Sequence, residues 1–106
     1  MTGMENELSI LIVEDEALIA QTLRLMLDDF GLHVAGVCYD YEQALEAVRS
    51  AEYDLLLTDI NLGEGQGVRS GFELVRAMQA LRNVPFIFLT AYDDRDTIRQ
   101  AASLRP

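Results

Sequence analysis

The 106-residue chain contains no lysine: all eight of its basic residues are arginine, set against eighteen acids for a formal charge of −10. That balance offers no basic stripe to a phosphate backbone and speaks against direct nucleic-acid binding. A single cysteine, Cys38, excludes an internal disulfide and agrees with a reducing compartment. A single histidine, His33, excludes a site built on two imidazoles. Apolar runs stop at four or five residues, far short of the roughly 18 to 20 that a membrane span needs. The acidic start, Met1 to Glu7, has neither the basic nor the apolar region of a signal peptide. With two prolines and half its residues hydrophobic, the chain is no disordered linker. The expectation is one soluble, cytoplasmic domain with one core.

Three runs, Ile10-Leu11-Ile12-Val13, Leu55-Leu56-Leu57-Thr58 and Phe86-Ile87-Phe88-Leu89, lack the alternation of a half-exposed strand and read as strands buried on both faces. Val34 to Cys38 gives a weaker strand, second in order. Between them lie segments of helical period. The first carries Ile19, Leu23, Met26, Leu27 and Phe30 on one stripe and stops at Gly31. The second starts at the cap residue Asp40 with Leu45 and Val48 turned inward, and the third runs from about Gly71 to Leu81 with Met78 on its core side. A last helix, capped by Asp93 or Asp94, carries Ile98, Ala101 and Ala102. The order βαβαβαβα implies an α/β, flavodoxin-like doubly wound parallel sheet with strand order 2-1-3-4. Residues 8–106 form that domain, and residues 1–7 are an N-terminal extension.

In such sheets ligands bind beyond the carboxyl ends of the strands, where strands one and three lie side by side. Glu14-Asp15-Glu16 follows strand one, Asp59 follows strand three, and Thr90-Ala91 follows strand four. Acids at the start of a helix also complement its dipole, for about 0.3–1 kcal/mol each, which accounts for Glu14 to Glu16 taken alone. It does not account for Asp59 on a neighbouring strand. Crowded carboxylates repel one another unless a cation joins them, and magnesium accepts one or two carboxylates together with waters and a phosphate oxygen.

The runs Leu11-Ile12-Val13-Glu14-Asp15-Glu16, Leu57-Thr58-Asp59-Ile60-Asn61-Leu62 and Phe88-Leu89-Thr90-Ala91-Tyr92 together resemble the receiver domain of bacterial two-component response regulators. The spacings, 44 residues from Asp15 to Asp59 and 31 from Asp59 to Thr90, are similar too. The resemblance implies that Asp59 takes a phosphoryl group from a sensor histidine kinase or a phosphotransfer protein. It implies that Asp15, Asp59 and the main-chain carbonyl of Asn61 hold Mg2+, with Glu14 reaching it directly or through water. Thr90 would turn its hydroxyl, and Ala91 its N–H, toward the phosphoryl group, so that a switch, not a turnover enzyme, regulates an output.

The sequence also departs from the family. The family's fifth strand, with its lysine and switch aromatic, and its fifth helix would come after Pro106, and neither Arg105 nor Tyr92 fills those roles. Twelve positions separate Asp59 from Gly71, about four more than is usual, and the stretch Gly63 to Ser70 fits neither G-x-G-x-x-G nor a P-loop, which leaves a surface loop. Without the fifth strand, Leu18 and Leu25 on the first helix would be uncovered. The chain would then be a fragment, or a homodimer paired through the strand-four edge or an exchanged last helix. A receiver-like interaction module that does not signal through phosphorylation is the alternative function. A phosphatase on a related sheet would want an acid where Asn61 stands. His33 and Cys38 read as surface and packing residues.

Overall fold

The structure is a computed structural model, and it describes residues 8–60, 62 and 70–89. The elements follow one another as β1 (Ser9–Val13), α1 (Ala17–Asp29), β2 (His33–Cys38), α2 (Tyr41–Ser50), β3 (Leu55–Asp59), α3 (Gly71–Gln79) and β4 (Phe86–Leu89). All strand pairs are parallel, in the order β2-β1-β3-β4. The doubly wound α/β sheet expected from the run of elements is therefore the fold. The last helix lies outside the described residues.

The two central strands are apolar over residues 10–13 and 55–57 because helices cover both their faces. Leu11, Val13 and Leu56 turn toward α2 and α3, where Ala44, Val48, Phe72, Leu74, Val75 and Met78 are buried. Ile10, Ile12 and Leu57 turn the other way, onto Leu23 and Leu27 of α1. Strand β4 departs from the expectation of burial on both faces: Phe86 and Phe88 pack on the larger core, while Ile87 is half exposed. Its apolar run reports a strand of this sheet; on the face opposite Phe86 and Phe88, Leu89 packs on the smaller core and Ile87 is left half exposed.

Helix α1 is the larger correction. Of the stripe Ile19, Leu23, Met26, Leu27 and Phe30, only Leu23 and Leu27 pack on the sheet; Ile19, Met26 and Phe30 are exposed. At 100° per residue, Ala20, Leu23 and Leu27 fall on one narrow side, and that side is the part of α1 that is buried or packed on the sheet. Leu18 and Leu25 are also exposed, as expected. Gly31 does end the helix: its φ of +79° is a conformation that glycine adopts without a Cβ penalty. The turn closes with Leu32 N–H donating to Leu27 O at 2.9 Å, a Schellman-type arrangement.

Asp40 caps α2 as expected, its carboxylate accepting from Gln43 N–H at 2.8 Å. Val48 is fully buried and Leu45 partly so. We expect Asp40→Ala to lower stability by about 1 kcal/mol, the usual cost of a lost side-chain cap, measured by urea denaturation. His33 opens β2 and is exposed, and Cys38 is a buried free thiol at the other end of that strand. No helix among the described residues is long and apolar enough to cross a membrane.

Candidate metal centre and phosphoacceptor

Parallel registration decides what meets at the mouth of the sheet. Val13 pairs with Thr58, so Glu14 and Asp59 each come one step later on adjacent strands. The β1–β2 ladder runs on through Glu14 N–H to Cys38 O at 2.9 Å, which fixes Glu14 at the strand's end. Asp15 follows in the turn into α1 and is exposed; Asp59 is half-buried. One carboxylate oxygen from each of Glu14, Asp15 and Asp59 lies within 4.8 Å of the others. Glu16, the fourth acid of the sequence pattern, stands outside this group and is the N-cap residue of α1.

Glu14 is only 3% exposed, and its Oε2 accepts from Glu16 N–H at 2.9 Å, so it meets an otherwise unpaired donor at the start of α1. Helix capping and membership of the acidic cluster are thus properties of one residue, not competing explanations. Burial pushes the Glu14 carboxyl up to about 7; the Glu16 N–H opposes this, and the negative charges of Asp59 and Asp15 add to it. A set of hard oxygen donors, crowded and short of positive charge, suits a divalent cation such as magnesium.

Asp59 pairs with Leu89, which brings the end of β4 beside the acceptor position. Thr90, Ala91 and Asn61 lie outside the described residues, as do most of the loop from Gly63 to Ser70 and the aromatic Tyr92. His33 and Cys38 are not among the clustered residues.

Sequence reasoning missed how the chain returns to the site. Ser70 and Glu73 form a capping box: Ser70 Oγ accepts from Glu73 N–H, and Glu73 Oε1 accepts from Ser70 N–H. The signal, a serine followed three residues later by glutamate before an apolar stretch, is legible in Ser70-Gly71-Phe72-Glu73. Gly71 N–H then donates to Ile60 O at 2.6 Å, tying the start of α3 to the residue after Asp59.

An open parallel sheet, ordered β2-β1-β3-β4 with an acidic cluster at its switch point, defines a doubly wound domain with an oxygen-donor site at its carboxyl edge. The response regulator receiver domain family matches residues 10–105, and the chain belongs to it. The chain is 39% identical over 87 residues to the phyllosphere-induced regulator PhyR of Methylorubrum extorquens, covering 81% of this chain and 32% of that protein. It is 33% identical over 98 residues to the chemotaxis protein CheY of Pseudomonas aeruginosa, covering 90% of this chain and 76% of that one. A crystal structure of the signal receiver domain of a modulated diguanylate cyclase from Desulfovibrio desulfuricans superposes with a TM-score of 0.81 at 34% identity, over 94% of this chain and 77% of the other. The chain spans about a third of PhyR and 43% of the mycobacterial transcriptional regulatory protein PdtaR. As a receiver domain, it has the role of a signal receiver.

Proposed function

We propose that Asp59 accepts a phosphoryl group from a phosphohistidine of a sensor histidine kinase or phosphotransfer protein, in the presence of magnesium, and that the modified domain regulates an output. The observation that carries this reading is the convergence of Glu14, Asp15 and Asp59 within 4.8 Å at the carboxyl edge of the sheet. In the transfer, a carboxylate oxygen of Asp59 forms the new P–O bond as the P–N bond of the phosphohistidine breaks, and the released imidazole nitrogen takes a proton. Asp15 and Asp59, with the main-chain carbonyl of Asn61, would hold the metal, and Glu14 would reach it directly or through water. Bound there, magnesium supplies positive charge against the phosphoryl oxygens and lessens their repulsion from the nucleophile. Thr90 Oγ1 and Ala91 N–H would then bond the new phosphoryl oxygens, coupling a local charge to the loop after β4.

The test is incubation with acetyl phosphate, or with beryllofluoride, and magnesium. Intact-mass measurement should show one phosphoryl group per chain, absent from Asp59→Asn. No Asp59-dependent modification or binding would overturn the reading. Within the same reading, Asp15→Asn should weaken magnesium most, by about tenfold or more, Glu14→Gln less, and His33→Ala not at all, because a ligand touching the ion matters more than one acting through water. Equal affinities for the three variants by calorimetry would contradict this ligand assignment.

A further inference from the structure

Gly71 is the first residue of α3 and is buried, and its backbone does not lie in the positive-φ region, so nothing in its own conformation calls for glycine. The demand is spatial. A Cβ at this position would overlap the Asp59 carbonyl oxygen, and would stand 3.1 Å from Ile60 Cα and 3.2 Å from the Asp59 carbonyl carbon. These are main-chain atoms, which cannot rotate aside as a side chain would. We infer that Gly71 is a positioning residue for Asp59: by bringing no side chain, it lets the start of α3 close against the main chain of the acceptor. The inference rests on the phosphoacceptor reading of Asp59 given above.

Which side would yield to an added methyl group follows from what holds each. The helix side is anchored several times over. Phe72, the next residue, is buried and meets Phe88 of β4 edge-on at 5.0 Å. Leu74, Val75 and Met78 are fully buried in the same core. The capping box fixes the first turn, and the Gly71 N–H bond to Ile60 O sets its distance from the strand. On the other side, β3 ends at Asp59, where the ladder to β4 also ends. The fully buried Thr58 steadies this end, its Oγ1 donating to Asp59 O at 2.9 Å. That carbonyl oxygen is the atom on which an added Cβ would press. The strand end therefore shifts, carrying the Asp59 carboxylate away from Asp15 and Glu14. The same tie explains how the chain tolerates a long excursion after Asp59: the ends of the segment between Ile60 and Gly71 are pinned together at its base, whatever its length.

The test compares Gly71→Ala with Ser70→Ala. The second removes the side-chain cap of the same helix and leaves the space beside Asp59 unchanged. Both should lower the melting temperature. Gly71→Ala alone should weaken magnesium binding and slow phosphorylation by acetyl phosphate about tenfold or more, the scale of a small misplacement of reacting groups. The slowing should persist at saturating magnesium, because the nucleophile itself is displaced. A merely structural glycine predicts that the two variants keep unaltered rates once both are folded, and that result overturns the inference. If Gly71→Ala does not fold, Thr58→Val, which deletes the bond to Asp59 O while keeping the β-branched shape, takes its place. An unchanged rate for that variant likewise overturns the inference. An unaltered protein that takes no phosphoryl group overturns the phosphoacceptor reading and this inference with it. An active unaltered protein with an equally active Gly71→Ala overturns this inference alone.

Discussion

Asp59→Asn is expected to abolish phosphoryl acceptance outright while leaving the domain folded, and to raise its melting temperature slightly when magnesium is chelated. The loss follows from chemistry: the amide has no anionic oxygen to form the P–O bond. The stability gain follows from geometry. Oxygens of three acids within 4.8 Å repel one another when no cation joins them, and removing one charge relieves about 1 kcal/mol for each pair even at the dielectric of bulk water. The amide keeps the shape of the side chain, so packing is conserved at this half-buried position. Mass spectrometry after incubation with acetyl phosphate reads the first effect, and thermal melts in chelator read the second. A lower melting temperature for the variant in chelator would contradict the electrostatic account, since it would mean that Asp59 holds the fold together instead of straining it. With saturating magnesium the order should reverse, because the unaltered protein gains the binding free energy of the ion and the variant gains less.

How much of this was legible in the sequence depended on how local the signal was. Strand runs such as Ile10 to Val13 and Leu55 to Thr58 declare themselves because central parallel strands are covered on both faces. Asp40 and Gly31 declare helix ends through their own backbone and side-chain chemistry. The acidic cluster was legible because sheet topology converts three distant positions into neighbours: once strands one and three are adjacent, Glu14, Asp15 and Asp59 must meet. Periodicity failed on α1, where apolar residues fill a sector wider than the one facing the sheet. Period alone does not say which part of a broad stripe is covered, and Ile19, Met26 and Phe30 proved exposed while Leu23 and Leu27 pack. Nor does periodicity say how far each residue of an all-apolar strand is covered: on one face of β4 Leu89 packs while Ile87 is half exposed. The close approach of Gly71 to Asp59 joins a helix start to a strand end across the long loop, and only the three-dimensional structure shows it.

Between pH of about 4.5 and about 7, the metal-free domain should lose stability as the pH rises, the opposite of the trend given by a carboxylate held in an ion pair. Burial, joined by the charges of Asp59 and Asp15, raises the Glu14 carboxyl from its ordinary value of 4.5 to about 7 in the folded state. The folded protein then binds a proton that the unfolded chain has released throughout this window, so stability falls with pH across it and levels off above about 7. At 1.36 kcal/mol for each pH unit of such a difference, the loss is at most about 3 kcal/mol, a large share of the roughly 5–15 kcal/mol that a domain has in all. Magnesium should remove the trend. A cation near the three acids favours the ionised form of Glu14, so binding releases a proton near neutral pH and affinity climbs as Glu14 ionises. Urea denaturation in chelator at pH 5 and pH 7.5 measures the first effect, and the calorimetric heat of magnesium binding in buffers of different ionisation enthalpy measures the proton released. Glu14→Gln, which is neutral throughout and keeps an acceptor for the Glu16 N–H, should flatten the stability profile across that window and abolish the proton release. A metal-free protein whose stability rises from pH 5 to 7.5, or a Glu14→Gln variant with the unaltered pH slope, would show that some other group governs the titration.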